Sequence, residues 1–143
     1  SVDLFGGPGG SILCSDGRLL SLDIAEPEPN SGDGFQRFTP RGALDIGIAS
    51  AASRVTLDQS SGRVLEAVIA LGAVAPTPVR AVKAEEALVG HEPTSDLMAQ
   101  AAKIAKEECN PISDIRGSAS YRQALVEVLV RRTLEQAVER AQK

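Results

Sequence analysis

The feature that most constrains this chain is the order of its periodicities. Apolar residues recur at every second position early on, and with helical spacing only afterwards. Leu44, Ile46 and Ile48 alternate with Asp45 and Gly47, small residues follow, and Val55 and Leu57 close the run. Asp58–Gly62 has turn chemistry, and Val64–Leu71 supplies a second β-branched run, so the pair predicts an antiparallel hairpin. The centre of the second run is apolar on both faces and predicts a strand covered on both sides. Pro76 and Pro78 then remove two amide donors and predict an extended crossing over 72–80.

The remainder is helical. Arg80–Val89 predicts a short helix stopped by Gly90. Thr94 or Ser95 caps a second, on which Leu97, Met98, Ala101, Ala102, Ala105 and Cys109 form a stripe. Ser118 caps a third helix reaching about Ala141, whose first half (Leu125, Val126, Val128, Leu129, Val130) is apolar around most of its circumference. Strands followed by helices predict an α+β fold, a small antiparallel sheet packed against a three-helix bundle.

Residues 1–33 read differently. Ser1–Gly10 is a Gly-Pro loop, Leu19–Ile24 alternates weakly as a strand, and Ala25–Gly34 has linker composition. The expected organisation is therefore a tail plus linker over 1–33 and a folded domain over 34–143.

Composition excludes several chemistries. With two cysteines and one histidine, the usual zinc ligand sets cannot be assembled from this chain alone. Net charge −4, 3% aromatics and no Trp argue against a nucleic-acid binder. No run reaches a membrane span and no signal peptide is visible, giving a cytoplasmic expectation. His91 lies in a Gly-His-Glu-Pro turn with no nucleophile elbow near it, and reads as a solvated turn residue. The glycines at 6–10 precede no helix and lack the dipole of a phosphate loop. No catalytic constellation is found, so the residues alone describe a binding or structural module.

Three stretches carry a resemblance. They are Gly-Phe-Gln-Arg-Phe-Thr-Pro-Arg-Gly-Ala-Leu-Asp-Ile-Gly-Ile at 34–48, Ile-Ala-Leu-Gly-Ala-Val-Ala-Pro-Thr-Pro-Val-Arg at 69–80, and Ser-Asp-Ile-Arg-Gly-Ser-Ala-Ser-Tyr-Arg at 113–122, followed by Val-Leu-Val-Arg-Arg-Thr-Leu at 128–134. In this order they resemble the C-terminal part of the FAD-binding medium subunit of molybdenum hydroxylases, of carbon monoxide dehydrogenase and xanthine dehydrogenase type. Residues 1–25 resemble the tail of the preceding flavin domain.

The resemblance implies a domain that is not catalytic alone. A molybdopterin large subunit oxidises the substrate, 2Fe-2S clusters in a small subunit carry electrons to FAD, and FAD passes them to an acceptor such as NAD. The glycine-rich FAD motifs of the family are not found in this sequence, which implies an FAD shared with an N-terminal FAD-binding domain. At the matched positions the resemblance implies FAD contacts from Phe35 (against the ring), Asp45 (accepting from the flavin edge), Thr77 (a hydroxyl) and Arg80 (facing a flavin oxygen or phosphate). Each has a plainer alternative: Phe35 as a core anchor, Asp45 as a solvated strand residue, Arg80 as a helix-end surface residue. An interaction module that keeps the fold and binds no flavin is the alternative function. Asp114, Arg116, Tyr121 and Arg122 read as a polar knot at the start of the third helix or as a subunit-docking surface. Ser120 stands where relatives often carry Glu.

Overall fold

Residues 32 and 34 determine how the sheet meets its longest helix. In the computed structural model, which describes residues 5–42 and 45–143, both glycines lie on β1 (Ser31–Phe38), facing α3 (Ala119–Ala141). A Cβ on Gly34 would overlap the backbone of Thr133, and one on Gly32 would overlap the backbone of Ala137 and Ala141. The missing side chains let the helix backbone lie directly on the strand. This is why β1 escapes a periodicity search: its inward positions are bare instead of apolar. The linker reading of 25–34 therefore fails at its end, because 31–34 are sheet.

β1 pairs antiparallel with β2 (Ala49–Leu57), β2 with β3 (Val64–Gly72), and β3 with the two-residue β4 (Val79–Arg80), giving the order β1-β2-β3-β4. The hairpin at 58–62 forms as expected. Asp58 accepts from the amides and hydroxyls of Ser60 and Ser61, and Gly62 takes the left-handed conformation at φ 68°. Strand β2 starts later than its pattern predicts. Ile46 is exposed, Leu44 lies outside the described residues, and pairing begins at Ala49.

Three helices cover one face of this sheet, confirming the expected fold. α1 (Val82–Leu88) packs on β3, α2 (Ser95–Glu107) on α1 and α3, and α3 on β1 and β2. The predicted caps form: Thr94 Oγ1 accepts from Leu97 N at 3.2 Å, Ser118 Oγ from Tyr121 N at 3.2 Å, and Gly90 ends the first helix at φ 81°. α1 has no side-chain cap of its own. Glu108, just beyond α2, supplies one by accepting from Lys83 N and Ala84 N. Ala101, Ala102 and Ala105 are buried, and this small-residue face lets α2 approach its neighbours closely. Ile69, Leu71, Val126, Val130 and Leu134 fill the space between sheet and helices. At its centre Ser53 Oγ and Thr133 Oγ1 bond at 2.7 Å, satisfying two buried hydroxyls. Val128, on the apolar first half of α3, is nevertheless partly exposed.

Two expectations are corrected. Leu19–Ile24 forms no strand and stays exposed, because no described strand lies beside it to complete its hydrogen bonds. The outer face of β3 is not fully covered either: Val68 and Ala70 are half-buried.

Candidate functional site

That uncovered face carries two of the sequence candidates. Direct partners across an antiparallel sheet share a face. The register Phe35↔Ala52, Ala52↔Ala70, Ala70↔Arg80 therefore places Phe35 and Arg80 at the two ends of one row, with two alanines between. Three strand spacings separate the ends by roughly 14 Å. Phe35 is 64% exposed, so the core-anchor reading of this residue fails. A shallow cavity of about 360 Å³ lies over the Phe35–Ala52–Ala70 part of the row and over the next one, bounded by Phe35, Arg54, Val68 and Arg140, with Arg80 outside its lining. Asp33 and Arg54 close one end through a fork at 2.7 and 3.1 Å, and Arg140 reaches round the sheet edge to the Asp33 carbonyl.

Arg80 is held in place by a residue that sequence reasoning missed. Glu85 is buried in α1, yet its carboxylate accepts from Arg80 Nε at 2.8 Å, from Arg80 Nη2 at 2.6 Å and from Ile69 N at 2.8 Å. A buried carboxylate requires such partners. The Glu85 side chain raises the affinity of the Arg80 guanidinium for its proton. The only sequence signal was an acid in the first turn of a helix whose other buried residues, Ala84 and Leu88, are apolar.

Asp45 and Thr77 lie elsewhere. The Asp45 carboxylate accepts from Arg41 N at 2.7 Å and from Ile46 N at 2.9 Å, with the Arg41 guanidinium at 3.5 Å. The Arg41 amide, foremost, holds this carboxyl below its usual range. Asp45 is neither on a strand nor free on an outer face; it ties up a loop. Thr77 is half-buried in the proline crossing. Their neighbours Ile46 and Pro76 line a second cavity, of about 290 Å³.

The polar knot expected at the start of α3 is present, with Asp114 paired to both Arg116 and Arg122. Asp114 accepts from Arg122 Nη2 at 2.8 Å and from Arg116 Nη1 at 3.0 Å. The Arg116 amide adds a bond at 2.8 Å and is the main cause of the lowered Asp114 pKa. Arg122 is buried and also donates from Nη1 to the carbonyls of Ile48 and Ala73. It thus joins the helix to the start of β2 and the end of β3, side by side at the open end of that hairpin. Tyr121 packs edge-on against Phe38, with centroids 6.2 Å apart.

The remaining features match their plain readings. His91 is exposed. Cys14 is exposed, and Cys109 is buried with its thiol donating to Lys106 O. Among the described residues no group of three or more His, Cys, Asp or Glu side chains is placed to hold a metal. No described helix is long and apolar enough to cross a membrane.

Comparison with known proteins gives this geometry its context. The chain is 34% identical over 135 residues to the nicotine 6-hydroxylase medium subunit of Paenarthrobacter nicotinovorans, covering 94% of this chain and 46% of that one. It is 35% identical over 125 residues to the carbon monoxide dehydrogenase medium chain of Afipia carboxidovorans, covering 87% and 43%. It is 26% identical to the xanthine dehydrogenase FAD-binding subunit of Escherichia coli O157:H7, covering 92% and 45%. Among solved structures, reconstituted CO dehydrogenase from Oligotropha carboxidovorans superposes with a TM-score of 0.88 at 29% identity, over 97% of this chain and 48% of that one. The chain thus spans about half the length of these relatives. Residues 35–137 match the family described as the CO dehydrogenase flavoprotein C-terminal domain, and with the sheet, helices and relatives in agreement, the chain belongs to that family.

Proposed function

We propose that this domain is the C-terminal part of an FAD-binding medium subunit of a molybdenum hydroxylase, and that it closes one side of a flavin held chiefly by an N-terminal FAD-binding domain. Residues 1–33 are then the tail of that domain plus the linker, and 34–143 the closing domain. The assembly contains an iron–sulfur small subunit and a molybdopterin large subunit, works in the cytoplasm, and passes electrons to an acceptor such as NAD. When bound, FAD supplies the redox relay between the clusters and that acceptor.

The observation that supports this reading is the exposed row Phe35–Ala52–Ala70–Arg80. Its two alanines make a flat apolar floor, Phe35 offers an aromatic face at one end, and Arg80 offers a cation at the other. Such a donor set suits a planar ring with a polar edge. Phe35 excludes water from one side of the ring. Arg80, oriented by Glu85, faces a flavin oxygen or phosphate. Asp45 and Thr77 act at the loop side: Thr77 offers a hydroxyl, and Asp45 has carboxylate lone pairs beyond those used by Arg41 and Ile46.

A second reading, an interaction module that binds no flavin, has its own support. Arg80 and Asp45 already have partners within the domain, and the four candidates do not converge on one cavity. Flavin titration of the full-length subunit separates the two. On the first reading the purified subunit shows the visible flavin band, and Phe35→Ala weakens FAD binding about tenfold, the loss of one aromatic contact. A folded, colourless subunit that takes up no added FAD rejects it in favour of the second.

A further inference from the structure

Two signs of strain meet where β3 ends. Among the described non-glycine residues only Asn30 and Ala73 have positive φ, at 56° and 63°. Asparagine tolerates this left-handed conformation, whereas alanine, with a Cβ and no polar side chain, adopts it only where its surroundings impose it. The second sign lies against it. The buried Arg122 has an Nε with no hydrogen-bond acceptor among the described residues. An unpaired buried donor is unfavourable, so the other donors of this guanidinium keep it in place.

Those donors show what imposes the turn. Arg122 Nη1 donates to the Ala73 carbonyl at 3.1 Å and to the Ile48 carbonyl at 3.0 Å. Nη2 donates to Asp114 at 2.8 Å, which fixes the plane of the guanidinium. On the other side of Ala73, Val74 is fully buried and its carbonyl accepts from Asn110 N at 2.9 Å. The β2–β3 ladder stops at Ser50↔Gly72, and past that pair the two chains lead to different places. Ile48 ends the loop that carries Asp45, and Ala73 opens the crossing that carries Thr77. Stability alone would be served as well by a glycine at 73 and an apolar side chain at 122. Strain of this kind persists where it fixes the geometry of a site.

We propose that Arg122 is a positioning residue of the flavin side: by gripping the left-handed Ala73 and the Ile48 carbonyl with one nitrogen, it fixes the Thr77 crossing and the Asp45 loop in a single relation. This rests on the reading of Asp45 and Thr77 as flavin-side groups. Arg122 itself touches no flavin; it acts through the two loops, and Asp114 orients it.

The test uses the full-length subunit with Arg122→Lys, Asp114→Asn, and each combined with Ala73→Gly. A lysine ammonium lacks the planar fork that reaches all three acceptors. Glycine takes the left-handed conformation freely, so the crossing keeps its course when the clamp is weakened. Hydrogen exchange read by mass spectrometry reports on the loops themselves. Arg122→Lys should speed exchange at 45–48 and at 73–75 together by about tenfold, and Asp114→Asn should do the same more weakly. In FAD titrations of the same samples, Arg122→Lys should weaken binding by about tenfold, and adding Ala73→Gly should restore most of it. A merely structural arginine would lower the urea midpoint and leave the FAD affinity of the folded protein unchanged. That result overturns the proposal, as does loosening of one loop without the other, or a loss that glycine at 73 does not rescue. If Arg122→Lys does not fold, Asp114→Asn with and without Ala73→Gly carries the same comparison. The two readings fail separately. A wild-type subunit that takes up no FAD, with both loops loosened together in the variant, rejects the flavin role and upholds the coupling of the loops. Normal FAD uptake with unchanged exchange in the variants rejects the positioning role alone.

Discussion

The positions that decide most here are ones without side chains. Gly34 faces the backbone of Thr133 so closely that a methyl group has no room, and the obstacle is main chain, which cannot rotate aside. Gly34→Ala should therefore push α3 off β1 and cost at least about 3 kcal/mol, at the upper end of overpacking. Gly42→Ala is the matched control. A Cβ there meets nothing within 4 Å among the described residues, and its change should stay within about 0.5 kcal/mol. Urea unfolding of both variants checks the difference. If Gly34→Ala unfolds at the wild-type midpoint, the close approach of strand and helix is wrong. Buried charge obeys a related logic. Glu85 and Arg122 are tolerated inside because each is met by several partners; the Asp114 partner of Arg122 belongs to the knot read from the local sequence, whereas its bonds to the Ile48 and Ala73 carbonyls and the bonds around Glu85 have no local signal.

Among the elements, α3 has most to lose. Leu129 and Leu134 are buried on the helix that spans β1 and β2. Leu129→Ala should destabilise the domain by roughly 2–5 kcal/mol, the range for a core leucine, measured as a shift of the urea midpoint at unchanged slope. A loss below about 1 kcal/mol would instead make this a surface helix. Helices and their caps were legible because capping and 3.6-residue periodicity are local signals: Thr94, Ser118 and Gly90 each did what their chemistry predicts. The β2–β3 hairpin was legible for the same reason. β1 was not, since its inward face is glycine and its reason for existing lies a hundred residues away in α3. Leu19–Ile24 misled in the opposite sense, since alternation without a neighbouring strand makes no sheet. The candidate site divides along the same line. Phe35 and Arg80 share a row only through a register that runs across four strands, which no local pattern displays. Asp45 has strand-like neighbours but spends its carboxylate on its own loop.

Over the whole molecule, these separate arrangements add up to a stability profile in pH. Asp45, Asp114 and Glu139 all have pKa values below their ordinary ones, and Asp58 is lowered to about 2 by the Ser60 and Ser61 hydroxyls. A depressed folded pKa means that the unfolded chain binds protons more readily on acidification. The stability contributed by these carboxylates is present above their unfolded values, 3.8 for aspartate and 4.5 for glutamate, and is lost as pH falls through the folded ones. Glu139 is exposed and Asp45, Asp58 and Asp114 are half-buried at the surface, so the acid arm should be shallow and partly sensitive to salt. The alkaline arm has a different origin. Burial raises the Cys109 thiol above 9.0, so the unfolded chain ionises first and stability falls as pH rises through and beyond that value. Arg54 and Arg80 are also raised by their carboxylate partners, from ordinary values already beyond the range in which they change charge. Urea midpoints at fixed ionic strength should thus form a plateau between about pH 5 and 8, with a decline on each side. Asp58→Asn should flatten the acid arm only, and Cys109→Ala the alkaline arm only, even though removing the buried sulfur lowers the plateau itself. An acid arm unchanged by Asp58→Asn would mean that the serine bonds do not hold the carboxylate in solution. An alkaline arm that survives Cys109→Ala would mean that another group ionises there.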